Sequence, residues 1–442
     1  MRAIIAHPRR LMRAFGSADD GNIAVIFALA SLPIIALLGA SIDYSHASSV
    51  RTNLQAALDA TALMVSKTAA TTSTTELQTA ATSYFKAMFN RPEAQNATVT
   101  ATYSTDGGSA VTVTGATSMK TSFMGIVGFP KLNISASSTV KWGNSRLRVA
   151  LVLDVTGSMS SAGKMTALKT ASKNLLTQLK SAATINGDVY VSIIPFAKDV
   201  NVDSSNYNQP WVSWTLWDAA NGTCSKRRDR NDTKSKCLVD GGKWTPDNHN
   251  TWNGCVTDRD QNYDTTNTPP ATGTAATLFP AEEYSSCPVP LMALSYNWTA
   301  LNSKIDAMQP NGGTNQVIGL QWGFQSLTST PFTIPAKDPK YTYQQVIILL
   351  SDGLNTQNRW YGNGSTHSTQ VDARQKILCN NVKAAGITLY TVQVNTDGDP
   401  TSDLLKQCAS GTDKFFLLTS ANQMVATFNQ IGTALSNLRV AK

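Results

Sequence analysis

Charge is scarce in this chain. Asp, Glu, Lys and Arg make up 15% of 442 residues, against the ~25% usual in soluble domains, and Ser, Thr and Asn fill the gap. Lys plus Arg number 37 and Asp plus Glu 29, a formal net charge of +8. That is modest for the length, and no nucleic-acid partner is expected. Histidine is scarcer still: His7, His46, His249 and His367 lie far apart, which argues against a zinc hydrolase. CxxC, HExxH and GxSxG are all missing, so neither a structural zinc site nor a standard hydrolase is signalled. Gly157–Met165 approaches a P-loop but reads G-x5-G-K-M, with one residue too many and no magnesium hydroxyl. No enzyme is expected. Hydrophobic residues at 42% exclude wholesale disorder, and the length allows two to four domains of roughly 100–200 residues.

What is present begins with one long apolar run. Arg2, Arg9, Arg10 and Arg13 precede Asn22–Ile42, which carries no charge across 21 residues and ends at Asp43. As a helix rising ~1.5 Å per residue it spans roughly 30 Å, the thickness of a bilayer core. A cleaved signal peptide has a shorter apolar region of ~7–15 residues, so a retained single-pass anchor is expected. Basic residues ahead of it put the N-terminus in the cytoplasm and all that follows Asp43 outside. The six cysteines (Cys224, Cys237, Cys255, Cys287, Cys379 and Cys408) lie in that exported part. An even number there suggests three disulfides. Fifteen pairings are open; Cys379–Cys408 is favoured because both fall on predicted helices of one compact unit.

The rest divides by pattern. After the basic segment 1–21 and the span 22–42, residues 43–145 read as a helix and a small antiparallel sheet. Val50, Leu54, Leu58, Thr61 and Val65 share one helix face. Residues 97–103, 110–114 and 132–142 alternate with period two, as half-buried strands do. From 146 to 442 apolar strands alternate with amphipathic helices, which predicts a mainly parallel sheet with right-handed crossovers. Strands are expected at 147–154, 188–196, 345–350, 387–394 and 414–418. Helices are expected at 164–182, 314–328, 371–385, 401–409 and 422–438. Residues 197–298 interrupt the alternation and hold four cysteines and six tryptophans. They read as an inserted subdomain with a core of tryptophan and disulfide. Within it Lys226, Arg227, Arg228, Arg230, Lys234 and Lys236 are interspersed with Asp229 and Asp232, which favours a solvated loop over an anion-binding patch.

Oxygen-bearing side chains collect where strands end. Asp154, Thr156 and Ser158 alternate directly after the strand 147–154. Thr314 lies in a Gly-Gly loop ahead of a helix, and Asp352 follows the strand 345–350. Open parallel sheets bind ligands at the carboxyl ends of their strands. Hard oxygen donors carrying few charges suit Mg²⁺ better than zinc or copper. In these residues the sequence resembles the von Willebrand factor A domain, whose metal-ion-dependent adhesion site (MIDAS) uses an Asp-x-Ser-x-Ser loop, a Thr and an Asp. Thr156 stands where the family usually has Ser, and the hydroxyl is retained. The resemblance implies a Rossmann-like, doubly wound sheet. It also implies a site holding Mg²⁺ (or Mn²⁺ or Ca²⁺) through Asp154, Thr156, Ser158, Thr314 and Asp352. An open coordination position would take a carboxylate from a partner protein.

The N-terminal stretch resembles the TadE/TadG-like segment of Flp (Tad) pilus-assembly proteins. The matching residues are Gly21–Ala28, Ile42–Tyr44 and Asn53–Leu63. An insert around Trp252–Val256 and Asp258–Asp260 within a C-terminal von Willebrand A domain is similar to the TadG branch. That resemblance implies a bacterial inner-membrane protein with a periplasmic domain that helps build or anchor a type IV-like pilus alongside other assembly components. A surface adhesin using the same metal site, and a peptidoglycan-bound scaffold using the insert, are the competing readings.

Overall fold

The computed structural model describes residues 22–440 apart from Thr184, 227–232, Asp397 and Asp399. The basic segment 1–21 and Arg227, Arg228 and Arg230 of the basic loop therefore lie outside the described residues. The chain divides into two compact units between Trp142 and Gly143.

In the first unit a single helix, Asn22–Ser66, runs from the apolar stretch into the amphipathic one without a break. It is long and apolar enough to cross a membrane. Past Asp43 one face is buried at Val50, Leu54, Leu58, Thr61 and Val65, the spacing of one helical stripe. A second helix, Thr74–Met88, starts at a capping box in which Ser73 and Glu76 each cap the other's backbone N–H. It adds Leu77, Ala81 and Phe85 to the same core. Both helices lie on a three-stranded antiparallel sheet, Ala94–Ser104, Ser109–Lys120 and Lys131–Trp142. Val111 and Val113 point inward. Gly115 lets Leu58 approach, since a Cβ there would sit 2.9 Å from Leu58 Cδ2. On the other face the Thr112 and Thr139 hydroxyls meet at 3.0 Å.

The second unit is built on one sheet. Five strands run parallel, in the spatial order Val189–Phe196, Ser145–Asp154, Thr342–Ser351, Thr388–Val394 and Phe415–Leu418. Helices cover both faces, so the strands read as unbroken apolar runs. Leu147, Val149, Leu151 and Leu153 pack against helices Lys164–Ala182, Trp298–Ala307 and Gln423–Val440. Ala150 and Val152 face helices Gln316–Ser326 and Thr369–Ala384.

The 197–298 stretch differs from its expected form. Short strands Val200–Asn201, Cys255–Val256 and Met292–Ser295 extend the main sheet in antiparallel pairing. Trp211, Trp217 and Trp252 belong to the same core as Trp322 of the main fold, and the Phe279 and Trp322 rings are 4.3 Å apart. Among the described residues, Cys224, Cys237 and Trp244 form a small cluster of their own. Trp214 packs edge-on against Trp217 and Trp252, and this group is continuous with the core of the main sheet. Three disulfides staple the unit: Cys224–Cys237, Cys255–Cys287 and Cys379–Cys408. The last joins helices Thr369–Ala384 and Asp403–Cys408, as expected.

Candidate metal centre

Parallel pairing brings strand ends to one rim. Leu350 lies beside Leu153, so Ser351 and Asp352 emerge next to Asp154. Asp154 is fully buried. Its Oδ1 accepts from the Thr156 N–H at 2.9 Å and the Thr156 hydroxyl at 2.6 Å. Its Oδ2 accepts from the Ser351 hydroxyl at 2.5 Å. Ser158 donates to Asp352 Oδ1 at 2.7 Å, and Thr156 Oγ1 and Ser158 Oγ lie 3.0 Å apart. Asp154, Thr156, Ser158 and Asp352 thus form one contiguous chain of oxygens.

Thr314 arrives by backbone contacts. The Gly157 N–H donates to the Gly312 carbonyl at 2.9 Å, and the Thr356 N–H donates to the Thr314 carbonyl at 2.9 Å. The Thr314 N–H in turn donates to the Thr356 hydroxyl at 2.8 Å. This pins the Gly-Gly loop between the Asp154 and Asp352 loops, although no hydrogen bond joins the Thr314 hydroxyl to the other four groups.

Two residues unnoticed in the sequence complete the arrangement. Ser351 orients Asp154. Lys164, the first residue of helix Lys164–Ala182, places its ammonium 2.7 Å from Asp352 Oδ2, with both side chains fully buried. The signals available were position alone: Ser351 precedes Asp352, and Lys164 opens the helix after the Asp154 loop.

Counting protons tests whether a cation fits. Three short contacts (Thr156–Asp154, Thr156–Ser158 and Ser158–Asp352) share two hydroxyl protons. With both carboxylates ionised they only accept, so one contact is lone pair against lone pair. Either a proton on Asp154 or a cation among these oxygens removes that repulsion. Burial, and then the charge of Asp352, push the Asp154 carboxyl up to about 7 against hydrogen bonds from Ser351 and Thr156. Among the described residues no three Asp, Glu, His or Cys side chains group as metal ligands. The donor set is two carboxylates with hydroxyls, which fits a hard divalent ion and not a soft one.

Residues 21–71 match the family model described as "Putative Flp pilus-assembly TadE/G-like", so over that segment the chain is similar to that family. No curated protein matches. Among solved structures the chain is similar to the pilus adhesin SpaC from Lactobacillus rhamnosus GG, at 14% identity and TM-score 0.37, covering 79% of this chain and 36% of that one. It is also similar to the vWF domain of the type V pili tip protein Mfa5 from Porphyromonas gingivalis, at 11% identity and TM-score 0.38, covering 67% and 97%. A third is proximal thread matrix protein 1 from the mussel byssus, solved with a zinc-occupied MIDAS motif, at 13% identity and TM-score 0.33, covering 66% and 46%. The chain thus spans about a third of SpaC and under half of the byssus protein.

Proposed function

We propose that this chain is a non-enzymatic envelope protein that helps assemble or anchor a Flp/Tad-type pilus. Its C-terminal unit is read as a doubly wound von Willebrand A domain that recognises a partner protein through a divalent cation. The family match over residues 21–71 supports the pilus setting. The observation that carries the recognition role is the convergence of Asp154, Thr156, Ser158 and Asp352 oxygens at one rim, one proton short once both carboxylates are ionised.

Asp154, Thr156, Ser158, Thr314 and Asp352 would hold the ion, Mg²⁺ (or Mn²⁺ or Ca²⁺). When bound, it supplies a Lewis-acid position for a carboxylate. Lys164 sets the sign of what is recognised. Asp154 and Asp352 bring two negative charges and Lys164 one positive, so the protein part carries −1. A divalent cation makes the site +1, and one Asp or Glu side chain from the partner neutralises it. The apolar helix serves as a single-pass anchor in a bacterial inner membrane, with the N-terminus cytoplasmic and the α/β unit periplasmic. Cross-linking pull-down from membranes, with and without chelator, compares the native chain with Asp154→Ala. Both treatments are expected to release the same partners. Partners that survive both would end the metal-mediated reading.

A further inference from the structure

The loop joining strands Ser109–Lys120 and Lys131–Trp142 has an unusual sequence for an exposed turn: Phe-Met-Gly-Ile-Val-Gly-Phe at 123–129, seven residues without charge. Its side chains are open. Ile126 is 84% exposed, Phe129 58% and Val127 54%. A water-facing turn of this length would normally be polar.

Its position explains the composition. Asp43, the first charge after the apolar run, is 1% exposed. Its carboxylate accepts backbone N–H bonds from Ser122, Phe123 and Met124 at 2.8, 2.9 and 2.8 Å. One turn earlier, roughly 6 Å further into the apolar run, Gly39 lies under Phe123; a Cβ on it would be 2.4 Å from Phe123 Cβ. The loop is therefore clamped alongside the last turn of the apolar helix. Leu38 and Ile42, next to Gly39 and Asp43 on that helix, are exposed as well.

The backbone is already prepared for a medium without water. Besides the three N–H groups held by Asp43, those of Ile126, Gly128 and Phe129 bond to Phe123, Gly125 and Met124 carbonyls. The Thr121 hydroxyl covers the Phe129 carbonyl at 2.6 Å. These six N–H groups and the Phe129 carbonyl need no water. At the base of the loop Lys120 and Lys131 are register partners, both exposed, where their ammonium groups can reach lipid phosphates.

We propose that the 123–129 loop is a second membrane contact, an interfacial wedge seated in the bilayer that the Asn22–Ile42 helix crosses, with Lys120 and Lys131 on the headgroups. This rests on the reading of that helix as a membrane span. The occupant is lipid, because the patch continues the apolar surface of the helix and is flanked by cations.

The test uses the full chain in vesicles of phosphatidylethanolamine and phosphatidylglycerol. The native cysteines are all paired among the described residues, so a single introduced thiol can carry an environment-sensitive fluorophore. At Ile126→Cys the emission should shift to the blue and be quenched several-fold by doxyl groups near the lipid glycerol, and little by aqueous iodide. At Thr105→Cys, in the turn joining Ala94–Ser104 to Ser109–Lys120, the pattern should reverse. Gly39→Val, which displaces Phe123, should weaken doxyl quenching at position 126 while vesicle flotation persists. Iodide-accessible fluorescence at 126 in a floating protein overturns the wedge alone. A blue shift without doxyl quenching overturns it too, since a protein surface would then cover the loop. Failure of the native chain to float removes the membrane-span reading itself.

Discussion

Asp154→Asn separates a buried acid awaiting a cation from an ordinary structural carboxylate. In the folded protein Asp154 keeps its proton up to about 7, above its ordinary 3.8. The unfolded chain releases the proton first. The stability this contributes is therefore full below pH 3.8 and is lost as pH rises through about 7. The two values differ by on the order of 4 kcal/mol, or roughly 8 °C at ~2 °C per kcal/mol for a unit of this size. Other groups titrate in the same direction: burial pushes Asp258 up to about 7, and burial with the nearby Glu282 pushes Asp199 well above its usual range. The raw profile sums them, so the readout is the difference between native and Asp154→Asn melting temperatures in chelator. Asn mimics the protonated acid. The variant should match the native protein near pH 4 and melt about 8 °C higher at pH 8. Adding Mg²⁺ at pH 8 should raise the native midpoint and leave the variant unmoved. A difference that stays flat from pH 4 to 8, or equal metal responses, would refute the reasoning.

Lys164→Met leaves Asp352 buried without its ion-pair partner, so the metal-free protein should lose roughly 3–5 kcal/mol. The same change makes the residual site −2, so calorimetry should find Mn²⁺ bound at least tenfold tighter, ~1.4 kcal/mol, while capture of an acidic partner weakens; unchanged Mn²⁺ affinity would contradict the charge count. Replacing Cys379 and Cys408 together by Ala opens a loop of sequence separation 29 and should cost ~3.5 kcal/mol by the chain-entropy estimate, read as a lower midpoint in chemical denaturation.

Much of the α/β unit was legible because burial on both faces leaves a plain signal. The strand read at 147–154 is Ser145–Asp154, and the helix read at 164–182 has those bounds. The strand ends were harder. Residues 115–120 carry little apolar alternation, yet they pair with Lys131–Ala136 to extend the sheet. Strands of two residues such as Val200–Asn201 leave no period to read, so the insert's part in the main sheet was hidden. In the candidate site the oxygen residues announced themselves by spacing along loops. Lys164 and Ser351 did not, because what matters is which carboxylate each reaches across the sheet, a relation that exists only after parallel pairing. The Asp43 clamp on residues 122–124 is another such case, joining groups about 80 positions apart.

The Asn22–Ser66 helix has 45 residues, about 67 Å of continuous rod, and the only proline inside it is Pro33. Nothing between Asp43 and the residues gripped by the three-stranded sheet is built to swivel. A rotation of the apolar half about its long axis would therefore be carried toward the sheet, like torque along a driveshaft. With its apolar half in a bilayer, as proposed above, one rigid element would link lipid depth to the sheet without any change of fold.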